Sequence, residues 1–367
     1  MAALNMSPSI YLLLICKYKF DLWINYLRKR LTVDWTLQPL IGNASLRRSS
    51  IRDPGLVIVF FLLNSNSQSS KRFCYPVNRS GSSSSVVREW SPLCDIHDDR
   101  LQEITGNFSP DPVAVSRKTF EAMGLASRVV KKTGYKTFPD GPGNQEAAIC
   151  MSGGRSWTRM KLARDMINGG HCSDEFEELK TVKEFGGGSC GEHRRLSAAE
   201  LRSMPRKMPV IQVRDSGQDH NYVIIGDWRD RTVGDHAVVV DPWPMLKKVH
   251  TYGERLESST PIPLMSYPPG PAEPNPSLSE ALAAEPAENS KMDRFTKMRT
   301  KSPAGPQAAS ALVRGLRENN SCWDSASSTN NLHQVYVSPD GDWSAFNDAP
   351  TDYVNDYLDA KDFLKSI

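Results

Sequence analysis

Over residues 110–257 the apolar positions change their spacing from helical to strand-like. Asp111–Met123 reads as a turn running into a short helix, and 136–143 is turn-rich. Trp157, Met160, Leu162, Ala163 and Met166 recur at helical intervals, and Gly169-Gly170 ends that run. Ser173 stands where it would cap a second helix. Its first turn holds Asp174, Glu175 and Glu177, which suit the positive end of a helix dipole. Gly186-Gly187-Gly188 closes it. A third helix is predicted from Cys190 to about Ser203, stopped by Pro205 and Pro209. The period then shortens. Val210–Val213, Asn221–Ile225 and Ala237–Val240 read as three short strands separated by turns. Helices followed by a run of antiparallel strands predict an α+β fold. Near the end, Tyr353, Val354, Tyr357, Leu358 and Leu364 share one face of a helix that must dock on something.

Outside that stretch the pattern weakens. Residues 1–90 form an N-terminal region with little regular patterning and a Ser-rich linker at 78–87. Within it, 18–31 mixes aromatics with Arg28-Lys29-Arg30 and reads as a partly ordered basic face. The organisation expected is a compact domain over 110–257, a Pro/Ala-rich linker over 258–290 and a helical or irregular C-terminal region over 291–367. Both terminal regions are expected to be poorly ordered. The polar stretch 318–332 reads as loop. Two apolar runs, Ile10–Cys16 and Leu56–Leu63, fall well short of the roughly 20 residues that cross a bilayer, so no stable membrane insertion is expected. Asn78-Arg79-Ser80 matches a glycosylation sequon, which carries little weight without a secretory signal.

Charge narrows the partners. The 367 residues carry 45 basic and 42 acidic side chains, too even a balance for nucleic acid to be the main ligand. Seven cysteines is an odd number. They are scattered, and no CxxC pair occurs, which argues against a zinc ribbon or a disulfide framework and for a reducing compartment.

The candidate chemistry centres on Gly186-Gly187-Gly188-Ser189-Cys190. Glycines permit a tight turn before a helix. A cysteine at a helix start feels the positive dipole end, which favours its thiolate. The same turn offers backbone N–H groups to a developing oxyanion. His220 stands at a strand start, where it could serve as base. Asp241 stands at the end of the next apolar strand, where it could orient that base. Rivals exist. Cys172 also precedes a helix, and Asp235-His236 is a near copy of Asp219-His220. His193 lies one turn beyond Cys190 and reads as solvent-facing. Joined with His171, Cys172 and Cys190 it makes a zinc set of unusual spacing, which is disfavoured. Gln145 reads as a surface residue, with an upstream oxyanion donor as the alternative. Trp243 reads equally as core or as substrate contact.

Taken in order, GGGSCGEH, DHNYVIIGD and VVVDPW resemble the papain-like cysteine protease and deamidase domains of bacterial effectors and toxins. The resemblance covers 155–243, about a quarter of the chain. It implies a Cys190–His220–Asp241 triad, a protein substrate, no cofactor and no metal. It also implies a thiol hydrolase acting on a peptide or side-chain amide. Glutamine or asparagine deamidation and transglutaminase-like acyl transfer are close alternatives. A non-catalytic protein-binding module is a third. As a bacterial effector, the chain would work inside a host cell, and otherwise in the cytoplasm. Substrate and oligomeric state stay open.

Overall fold

A computed structural model describes residues 89–367, except 106–110, 216, 218, 257 and 258, and the described residues fall in one unit. The Ser-rich linker, both early apolar runs and the basic segment at 18–31 lie outside the described residues.

The described chain begins with β1 (Trp90–Pro92), α1 (Asp99–Thr105), β2 (Val113–Ala114) and α2 (Arg117–Lys131). A π-helical stretch, Lys132–Thr137, leads to α3 (Glu146–Met151), α4 (Arg155–Asn168), α5 (Glu175–Phe185) and α6 (Cys190–Arg202). Then come β3 (Val210–Asp215), β4 (His220–Ile225), β5 (Val238–Val240), β6 (His250–Thr251) and β7 (Ile262–Tyr267). The C-terminal part adds α7 (Pro276–Ala283), α8 (Asn289–Thr300), α9 (Pro306–Glu318), β8 (Tyr336–Val337), β9 (Trp343–Ser344), β10 (Asp348–Pro350) and α10 (Thr351–Leu364). This is an α+β fold.

Strands β3 to β7 form one antiparallel sheet in the order β6-β5-β4-β3-β7. Side chains alternate across it, as the strand period requires. Val210, Val223, Ile225, Val238 and Val240 face α2 and α6, where Met123, Ala126, Val129, Ala198 and Leu201 complete the main core. Ile211, Val213, Tyr222, Ile224 and Val239 pack on the opposite face with Trp228. The central strands β3, β4 and β5 are therefore buried on both sides, and so they read as apolar runs rather than as alternating patterns.

Two expectations are corrected. Asp174, not Ser173, caps α5: its carboxylate accepts the N–H groups of Phe176 and Glu177, both at 2.9 Å. The region after 257 is neither a linker nor loose. Ile262–Tyr267 is the edge strand β7, and Pro263 is tolerated there because an edge strand has a side with no partner to bond. Leu278 and Ala281 of α7 pack on Leu179 and Val182 of α5. Helix α10 buries Tyr353, Val354, Tyr357, Leu358 and Leu364 against Ala147, Ala148 and Ile149 of α3. Strand β10 also pairs with β1, and β8 with β2, so the last elements are tied to the first described ones. Among the described residues, no helix is long and apolar enough to cross a membrane.

The turn before α6 rests on close approach of backbones. Gly186 ends α5 at φ 63°, the left-handed conformation that suits glycine. A Cβ on Gly187 would lie 2.5 Å from backbone atoms of Arg159 and Met160 in α4. Gly187→Ala should therefore destabilise the fold by about 1–3 kcal/mol through overpacking. Gly191→Ala, whose Cβ meets nothing within 4 Å and lies in the first turn of α6, should be neutral or mildly stabilising. Thermal melts of the two variants check the contrast.

Candidate active site

Cys190 is the first residue of α6, which fixes its backbone where the helix N–H groups are unpaired. The start of the helix is clamped from the side. The Glu192 carboxylate accepts the Ser189 backbone N–H at 2.7 Å and the Ser189 hydroxyl at 3.0 Å. Arg164 of α4 donates to both Glu192 oxygens, each at 3.0 Å. The Ser-x-x-Glu spacing of such a box stands in the sequence at Ser189 and Glu192.

The base arrives from the sheet. Val223 of β4 pairs with Val240 of β5, so Asp241 lies one step beyond the ladder and diagonal to His220 on the same face. His220 Nε2 lies 2.8 Å from Asp241 Oδ2. The other carboxylate oxygen accepts the Trp243 backbone N–H at 3.2 Å. The Trp243 ring covers the imidazole with centroids 4.7 Å apart, and its indole N–H donates to Asn144 Oδ1 at 2.9 Å. Trp243 is thus both core and site wall. The Nδ1 edge of the ring is buried and has no hydrogen-bond partner among the described residues.

The electrostatics couple the two groups. Burial pushes the Cys190 thiol up, but His220 and then Asn221 outweigh it and hold the thiol below its ordinary value. Burial works against a charged His220, yet the Asp241 carboxylate, followed by the Cys190 sulfur, raises it well above the usual imidazole range. A lowered thiol beside a raised imidazole is the pattern of a thiolate–imidazolium pair.

The rivals are placed elsewhere. Cys172 Sγ sits 3.4 Å from the Thr181 hydroxyl, and His236 is exposed in a 3₁₀ turn. His193 is corrected from solvent-facing to fully buried. It stacks on Phe138 at 3.9 Å, its Nδ1 lies 2.8 Å from the Ser189 carbonyl, and burial pushes it down to about 4. Gln145 is likewise not a surface residue. It is completely buried, its Oε1 accepts the Ser325 N–H at 3.0 Å, and its Nε2 has no partner among the described residues. No group of three or more His, Cys, Asp or Glu among the described residues is placed to hold a metal ion. The described cysteines, Cys94, Cys150, Cys172, Cys190 and Cys322, are all free.

A cavity of about 600 Å³ opens over the triad, within the range of small-ligand and substrate pockets. Cys190, His220, Asp241 and Trp243 line it, together with Glu103–Thr105 and residues 323–330 from remote parts of the chain. The 323–330 segment is stitched into place. Met245 and Leu246 donate to the carbonyls of Ser325 and Ala326, and Leu256 to that of Ser328. Composition had marked this stretch as polar loop, and nothing in its residue types announces a site wall. Comparison of the chain with family models, with curated proteins and with solved structures finds no match.

Alkylation of Cys190 by iodoacetamide should persist at pH values well below those where an ordinary thiol reacts, and fade as pH falls through its lowered value. His220→Ala should move that fade to higher pH. Cys322, pushed up to about 12 by burial and by Glu146, should stay slow throughout. Peptide mass spectrometry across a pH series reads all three.

Proposed function

We propose that this chain is a cysteine-nucleophile hydrolase of papain-like type, acting on a peptide or side-chain amide of a protein. The observation that carries the proposal is His220: one ring nitrogen bonds the buried Asp241 carboxylate, and the other has no hydrogen-bond partner among the described residues, while the ring interacts with the Cys190 thiol at a helix start. Asp241 fixes the tautomer, so the free nitrogen is the one that exchanges a proton with sulfur.

The reaction follows from these positions. The Cys190 thiolate attacks the amide carbonyl carbon. Backbone N–H groups at the start of α6 receive the developing oxyanion. Collapse breaks the C–N bond, and the His220 imidazolium protonates the departing nitrogen. A water molecule, deprotonated by His220, then cleaves the thioester and restores the thiol. The ordered GGGSCGEH, DHNYVIIGD and VVVDPW segments support the same assignment through their resemblance to effector and toxin domains.

Cys190→Ala should abolish turnover of a protein or peptide library. His220→Ala should lower it by about 10²–10⁴-fold, the usual contribution of a positioned base. Mass spectrometry of the products separates the outcomes. New termini mean backbone hydrolysis, and a shift of about +1 Da without cleavage means side-chain deamidation. A Cys190-independent product, or none, would sink the enzyme reading.

A further inference from the structure

The Cys190 sulfur has a second neighbour on β4. Asn221 follows His220, and successive strand residues point to opposite faces, so its side chain turns toward α6 rather than toward Tyr222 and Asp241. Its Nδ2 donates toward the Cys190 sulfur at 3.6 Å. Its Oδ1 accepts from Arg194 Nη1 at 2.8 Å. Arg194 lies four residues after Cys190 on α6, so the two side chains share one helix face. No carboxylate lies within ion-pair distance of Arg194 among the described residues, and its Nε is buried without a partner.

We infer, building on the hydrolase reading, that Asn221 is a second stabiliser of the Cys190 thiolate, held in orientation by Arg194. An amide has a donor end and an acceptor end. Turned over, Asn221 would aim Oδ1 at an anionic sulfur and Nδ2 at a guanidinium, repulsive at both ends. The guanidinium thus selects the orientation that gives the sulfur a donor. It also keeps its charge at every working pH, so this support survives when His220 gives up its proton.

Other charges bear on the same sulfur. On α6, Glu192 is tied to Arg164, and Arg195 to Glu178. The buried His193 faces Phe138. From the strand side come His220, bonded to Asp241, and the exposed Asp219, which pairs with Arg214 and whose carbonyl lies 4.0 Å from the sulfur. Arg194 differs from Arg164, Arg195 and Arg214 in having no carboxylate within ion-pair distance among the described residues.

Asn221→Asp tests the idea, because a carboxylate of the same shape keeps the Arg194 contact while presenting only acceptors and negative charge to the sulfur. On the acid side of its titration, Cys190 in this variant should alkylate about tenfold more slowly than wild type, equivalent to about one unit of upward shift. Arg194→Gln should shift the profile in the same direction by less. Both are read by iodoacetamide kinetics against pH, with melting curves to confirm folding; should Asn221→Asp fail to fold, Arg194→Gln decides alone. Profiles unchanged in the folded variants, while His220→Ala still shifts, would overturn the role of Asn221 and leave the hydrolase reading intact. An ordinary thiol profile in wild type would overturn both.

Discussion

The buried His220–Asp241 contact constrains everything around it. Asp241 is 1% exposed and His220 8%, so neither can rely on water to carry charge. Removing charged groups from water costs several kcal/mol each unless the pair is well bonded. The surroundings meet that demand. The second Asp241 oxygen takes the Trp243 N–H, the Trp243 ring seals the imidazole, and the indole is anchored in turn by Asn144. The Asn144 carbonyl then accepts from Trp323, so the chain of contacts runs from the sheet to the far wall. A single turn, Asp241-Pro242-Trp243, thereby links a strand end, the carboxylate bonded to His220 and the lining of the cavity.

Much of this was legible along the chain because it depends on local chemistry. Three glycines before a cysteine forecast the turn and helix start, and three valines before Asp241 forecast a buried strand that ends in a carboxylate. The C-terminal helix face was readable from its spacing, and all five of its named apolar residues are buried. What composition concealed depends on tertiary context. Pro263 looks like a linker residue until the strand is seen to lie at a sheet edge. Lys247 and Lys248 look like surface residues, yet burial pushes both down to about 7. Lys247 Nζ lies over the rings of Tyr135 and Tyr353, and Lys248 Nζ donates to the carbonyls of Gln334 and Ala345. These rings and carbonyls are remote in sequence, so no local pattern encodes them. Gln145 was misplaced for the same reason, since its burial is created by a segment about 180 residues further on.

The first turn of α6 is held from two directions by arginines with different duties. Arg164 reaches across from α4 and is neutralised by Glu192, so it chiefly braces the helix start. Arg194 rises from the same helix as Cys190, and its hydrogen-bond partner among the described residues is the Asn221 amide. A salt bridge fixes geometry while cancelling charge. An arginine bonded to a neutral amide fixes geometry and leaves its field in place.

The far wall of the cavity comes from a part of the chain remote from the triad. Cys190, His220 and Asp241 lie within 52 residues, but residues 323–330 line the cavity from more than 80 positions later. During synthesis, Cys190, His220 and Asp241 leave the ribosome while this part of the cavity lining is still being made. On the hydrolase reading proposed above, the nascent chain would hold its thiol and imidazole before it holds the wall that restricts what reaches them.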